Sequence, residues 1–284
     1  MKQISVLLTS LSAYIFFFFL FPVYADDDFI SENLKTFRSF TLDNNIKVHI
    51  KSDRQNVINA LVVLIDSSKV GVPKEKAGLD KITLNLLTME SVNYSDTRRR
   101  SLLKKTAASI SASDGLDYNT CYMKTIDTYF DEVFSLFADL LLHPVFSEDF
   151  LKEVKTDIVN AYQSEMSDGY ARVSRAVNTA FFKNHPYESF LVTPETINPI
   201  SREDVLSYYQ KHVIDPDRIT IFGVGNYNID NLKEKLNSTF GRLPGTEMQE
   251  KPAPKKNTFV LSTEKIIDVF DDLKDGTSYI RGNF

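Results

Sequence analysis

The spacing of apolar residues changes several times along this chain, and each change marks an element. Ile46 to Ile50 reads Ile-Lys-Val-His-Ile, the alternation of a half-buried strand. Asp43-Asn44-Asn45 before it is a turn signal. Val57 to Ile65 is almost unbroken apolar and β-branched, which predicts a central strand. From Pro73 the period lengthens. Leu79, Ile82, Leu86 and Leu87 share one stripe, so a helix is expected from Pro73 to about Val92. A short helix from about Thr97 to Thr106 comes next. Ala108 to Ala112 and Leu116 to Met123 then predict a hairpin turning at Ser113-Asp114-Gly115. Asp127 is expected to cap a helix whose core face is Phe130, Val133, Phe134, Phe137, Leu140 and Leu141, stopped by Pro144. Ser147 is expected to cap the next helix, and a further one covers Gly169 to Phe182. Ser201-Arg202-Glu203-Asp204 has the form of a capping box. A strand from Arg218 to Val224 and a helix from Asn228 to Phe240 follow. Gly245 to Lys256 reads as a linker, and Val260 to Phe270 as the start of another strand. Hairpins followed by helices give an α+β class with a mostly antiparallel sheet.

The beginning of the chain has a different pattern. Lys2 is followed by an apolar stretch from Ile4 to Phe21, then by Pro22-Val23-Tyr24-Ala25 and three aspartates. That is the layout of a secretory signal peptide cut after Ala25, with an uncleaved anchor as the alternative. The expected location is secreted or periplasmic, with no membrane attachment after cleavage. Composition is ordinary for a globular protein: 43% hydrophobic and 25% charged over 284 residues. The formal charge of −5 argues against nucleic acid as a partner, since a phosphate binder needs a concentrated cationic face. The one basic cluster, Arg98-Arg99-Arg100 with Lys104-Lys105, fits a solvated helix start. Cys121 is the single cysteine, which excludes an internal disulfide and a cysteine-based zinc cluster. Gly223-Val224-Gly225 lacks the later glycine of a phosphate loop.

Several segments, in order, resemble the N-terminal half of the insulinase/pitrilysin family of zinc metallopeptidases, which includes the mitochondrial processing peptidase subunits. They are Thr41 to Val48, Ala77-Gly78-Leu79, Ala138 to Phe146 with its His143-Pro144, Asn184-His185-Pro186-Tyr187, Thr193 to Val205, and Asp215 to Gly225. The resemblance implies an α+β half-domain with a mixed, largely antiparallel sheet and helices packed on one face. It divides the chain into a signal peptide (1–25), an insulinase-like half (33–245), and a linker with the truncated start of a second half (246–284). In the family, two such halves enclose the substrate.

The resemblance also implies a zinc site, and here the chain departs from the pattern. Family members carry His-x-x-Glu-His after Ala-Gly-Leu-x, with two imidazoles four apart on one helix face and a glutamate that acts as base on the zinc-bound water. Lys81 stands at the first His position, Leu84 at the Glu position and Asn85 at the second His position. The family's third ligand, a later Glu, aligns with Asn160, and a shifted frame offers Asp157 or Glu165. A lysine repels a dication, a leucine accepts no proton, and asparagine is a poor zinc ligand. No catalytic, cofactor-binding or metal residue is therefore expected, and no zinc. His49, His143, His185 and His212 lack the spacing of a helical metal site. The expected function is a secreted, catalytically inactive pseudopeptidase half acting as a binding or scaffolding subunit. The partners this leaves open are a full-length insulinase-like protein and peptides. The alternatives are an active zinc metalloendopeptidase with an unconventional site, and a truncated remnant without independent function.

Overall fold

The computed structural model describes residues 37–66, 72–183 and 185–244. The expected signal peptide, the linker and the last strand-like segment lie outside the described residues. The chain forms two compact units, Met1–Arg38 and Ser39–Phe284. Of the first only the last two residues are described, and the fold below is that of the second.

Six strands form one sheet: β1 (Arg38–Thr41), β2 (Lys47–Ser52), β3 (Ile58–Ile65), β4 (Ser109–Ser113), β5 (Asn119–Ile126) and β6 (Ile219–Gly225), in spatial order β1-β2-β6-β3-β5-β4. β2 pairs with β6 in parallel, whereas β3 pairs antiparallel with both β5 and β6, and β4 with β5. The α+β class with a mixed, largely antiparallel sheet is therefore as expected. Register aligns one buried row across the sheet, Val48–Ile221–Val63–Cys121, and a second, Ile50–Gly223–Leu61–Met123. The second row needs glycine at its centre. A Cβ on Gly223 would lie 2.6 Å from Ile50 Cδ1 and 2.8 Å from Leu61 Cδ2, so the neighbours fill the space a side chain would occupy. Burial pushes the Cys121 thiol up to about 12, which leaves it an inert core residue.

The helices are α1 (Leu79–Leu87), α2 (Asp96–Thr106), α3 (Phe130–Leu142), α4 (Glu148–Ser167), α5 (Gly169–Phe181), α6 (Arg202–Tyr208) and α7 (Ile229–Ser238), with short helical turns between them. Phe137 and Leu140 of α3 are fully buried, and the Phe137 ring lies 6.4 Å from that of Phe240. α4 contributes only Leu151, Val154 and Ile158 to the interior, a narrow stripe that suits a helix on the rim. The Ser201–Asp204 capping box of α6 forms with both hydrogen bonds, and Asp204 also pairs with Lys76. The other face of the sheet is more open: Phe222 and Val224 are exposed, and His49 stacks on Phe222 at 5.2 Å.

Three sequence expectations need correction, and one strand had no expectation at all. The helix expected over Pro73 to Val92 is a 3₁₀ turn at Lys74–Lys76, then a left-handed Gly78 at φ +94°, then α1 alone. Asp127 does not cap α3. It starts a 3₁₀ turn, and its carboxylate accepts from Asn59 and Asn226. Ser147 sits at the N-cap of α4 but makes no capping bond, and its hydroxyl is buried without a partner among the described residues. β1 was not expected: Arg-Ser-Phe-Thr is too short to show a period.

Candidate functional site

The site to be tested is the exposed edge of α1. Gly78 sets its start, because a Cβ there would meet Ile197 Cδ1 at 2.7 Å and Val192 Cγ2 at 3.0 Å, and its φ belongs to glycine. The helix then turns almost every side inward. Leu79, Asp80, Ile82, Thr83, Leu84, Leu86 and Leu87 are all buried. Thr83 Oγ1 donates back to the Leu79 carbonyl at 2.8 Å, which satisfies its hydroxyl without a neighbour. Only Lys81 and Asn85 reach partial exposure, so they mark the outward stripe.

The resemblance would put those two residues and Leu84 at the positions of the family's zinc ligands and base. Asn85 does not point its amide outward for a ligand: Nδ2 donates to the Lys81 carbonyl at 2.8 Å. Leu84 is 1% exposed and belongs to the core. Between an ammonium, an alkyl side chain and a committed amide, these three positions offer no anionic or imidazole donor. Zinc needs three such ligands and an open position, so the residues present do not fit it.

The later helix places no such donor at the aligned position, Asn160. Asn160 is exposed and lines an open groove of about 330 Å³ with Lys152, Lys155 and Asn198. Burial lowers the ammonium pKa of Lys155, whose Nζ donates to the Asn198 carbonyl at 3.0 Å. Asp157 is exposed. Glu165 is half-buried, and Arg175 Nη2 lies 3.3 Å from its Oε2, so its charge already has a partner. The same guanidinium stacks on Tyr162 at 4.8 Å and donates to the Val192 carbonyl at 2.6 Å. Arg175 thus ties α4 and α5 to the residue that packs on Gly78, a link that no local sequence signal announces.

Each histidine has structural work. His49 Nδ1 contacts Ser39 Oγ at 2.7 Å. His143 ends α3 and contacts Asp139 at 3.0 Å. His185 Nδ1 accepts from the Tyr187 backbone N–H. His212 lies in a π-helical turn, Tyr209–Val213, against Tyr208, and burial, then Arg218 and Lys211, lowers its pKa. Among the described residues no group of three or more His, Cys, Asp or Glu could hold a metal ion.

Residues 39–195 match the family described as insulinase (peptidase family M16), and residues 199–280 match the peptidase M16 inactive domain. A non-peptidase homolog, YmxG, from Helicobacter pylori is 24% identical over 180 residues, covering 63% of this chain and 41% of that protein. Three solved structures share the fold. A protease from Helicobacter pylori has a TM-score of 0.69 at 17% identity, covering 77% of this chain and 53% of that one. A peptidase M16 inactive domain from Pseudomonas fluorescens has a TM-score of 0.68 at 14% identity, covering 74% and 51%. The periplasmic protease PqqL from Escherichia coli has a TM-score of 0.66 at 12% identity, covering 75% and 24%. The chain thus spans about half or less of the length of these relatives.

Proposed function

This chain belongs to the insulinase family, peptidase family M16, and on that footing we propose that it is a metal-free, non-catalytic member that acts by binding. The observation that carries the reading is Leu84. A general base must reach the zinc-bound water, yet this position is a core leucine, 1% exposed. Lys81 and Asn85 supply no zinc donor beside it. A relative in Helicobacter pylori named a non-peptidase homolog is consistent with loss of chemistry in this branch. A chain that keeps the fold without the chemistry keeps its surfaces, so binding of a peptide or of a full-length insulinase-like protein is the activity that remains.

The test is metal analysis of the purified protein, paired with peptide cleavage with and without chelator. Zinc far below one per chain and no chelator-sensitive cleavage are expected. One zinc per chain with cleavage abolished by chelator would overturn the reading. Co-purification of a full-length insulinase-like protein would identify the partner.

Export is part of the same proposal. The Ile4 to Phe21 apolar stretch followed by Val23-Tyr24-Ala25 supports it, as does a structural neighbour described as periplasmic. No described helix is long and apolar enough to cross a membrane. Intact-mass measurement of protein from the extracytoplasmic fraction should place the mature N-terminus at Asp26. A membrane-bound chain that retains residues 1–25 would replace export by anchoring.

A further inference from the structure

The outward face of the sheet, opposite the two buried rows, has the residues of an interior and is left open. Antiparallel strands that face water on one side alternate apolar with polar residues. β3 does not: its outward residues are Ile58, Ala60, Val62 and Leu64, apolar throughout. The neighbouring strands continue this surface. Register sets Val224 of β6 beside Ala60, Phe222 beside Val62, and Ile126 of β5 beside Ile58. Ile58, Ile126, Phe222 and Val224 are between 37% and 42% exposed. Large apolar side chains grouped on one open face mark an interaction surface.

Charge frames it. One row across the four central strands reads Lys51–Val224–Ala60–Lys124, and the next reads His49–Phe222–Val62–Tyr122. β2 adds Lys47 on the same flank. None of β2, β3, β5 and β6 contains an acidic residue. An apolar strip two strands wide, β6 and β3, therefore runs between cations on β2 and β5. Adjacent strands are about 4.8 Å apart, which puts the two flanks about 14 Å from each other. An α-helix with its side chains is about 10–12 Å across, so a single helix fills the gap. β3 has eight residues, about 27 Å, the length of a helix of about 18 residues.

We propose that this face binds one amphipathic α-helix of a partner protein. Its apolar stripe lies on β6 and β3, and acidic residues along its two flanks reach Lys47 on one side and Lys124 on the other. The inference rests on the reading above in taking binding as the activity, and it gives that binding a surface and a partner chemistry. The two fail separately: zinc at α1 leaves the sheet face unchanged, and a face that takes no helix leaves the metal-free reading intact.

The probes are three capped peptides of about 18 residues, titrated into the purified protein by calorimetry and amide NMR shifts. The first has leucines at helical spacing flanked by glutamates. The second has lysines in place of the glutamates, and the third scrambles the first. The glutamate helix is expected to bind at least about tenfold more tightly than either control, with shifts centred on Val62, Phe222 and Val224. Its affinity should fall with added salt. Lys47→Glu and Lys124→Glu, both at exposed positions, keep the fold and should each weaken it several-fold. Phe222→Thr retains strand propensity and should weaken it further. Equal binding of the lysine peptide, no effect of either lysine reversal, or no shift at millimolar glutamate peptide would overturn the proposal. So would either of two other occupants. A second copy would show as self-association that Phe222→Thr abolishes, and the chain's own residues 245–284 as amide shifts there when Phe222→Thr is made without peptide.

Discussion

Leu84→Glu is expected to destabilise the protein by at least ~5 kcal/mol at neutral pH, enough to unfold most of it, given that domains are stable by only about 5–15 kcal/mol. Two effects add. Truncating a core leucine costs about 2–5 kcal/mol through lost contacts and the cavity left behind, and glutamate fits that space no better. The carboxylate then loses its water with no partner nearby, so its folded pKa rises above the ordinary glutamate value. The sign follows. With the acid's pKa raised in the folded state, the folded state binds more protons across the intervening range, so the variant's stability falls as pH rises. Urea unfolding at acid and neutral pH checks both statements. A variant within about 1 kcal/mol of wild type at neutral pH would mean that this position is not buried as described. One practical result is that rebuilding His-x-x-Glu-His on α1 should yield an unfolded chain before it yields a zinc site.

Asp139→Ala should be the next most damaging change, at about 2–4 kcal/mol, the range for breaking a buried hydrogen-bonded network. Asp139 is 9% exposed. It accepts from Ser91 Oγ at 2.7 Å, the Asn93 backbone N–H at 3.1 Å and Asn93 Nδ2 at 2.9 Å, and contacts His143 at 3.0 Å. Burial alone would raise its pKa, but the bonds from Ser91, Asn93 and His143 outweigh burial and hold it below the usual carboxylate value. A depressed acid contributes stability that is complete above its unfolded pKa of about 4 and is lost as pH falls through the folded value. Wild type should therefore lose stability below about pH 4 more steeply than Asp139→Asn, which lacks this one titrating group. Parallel acid-unfolding curves for the two proteins would show that the network carries no charge-dependent stability.

The strands on the core were legible because one property, alternation, decides them. Lys47, His49 and Lys51 separate Val48 and Ile50 in the sequence as they do in space. The start of α1 was not legible. Pro73 and the leucine stripe suggest continuity, while Gly78 stops it for the sake of Ile197 and Val192, residues far along the chain. Asp127 failed for a similar reason. Local rules make an aspartate before a helix a cap, but Asn59 and Asn226 claim its carboxylate through the sheet. An asparagine within the apolar run from Val57 to Ile65 was the one visible hint. At the α1 site, residue identity alone removes the zinc donors. Burial of Leu84 comes from packing against other elements, which no local spacing reveals.

The place of β6 in the sheet has a consequence for how the chain is made. β2 and β3 are close in sequence but do not pair; β6, from near the other end of the described chain, lies between them. A nascent chain leaving the ribosome therefore carries two apolar strands whose inner edges stay unmatched until residues 219–225 appear. Such long-range closure is slow, and it leaves edges that chaperones recognise. Under the proposed export this delay would be useful: the sheet cannot lock before residues 219–225 have been synthesised, so the polypeptide would stay threadable while a translocation pore engages it.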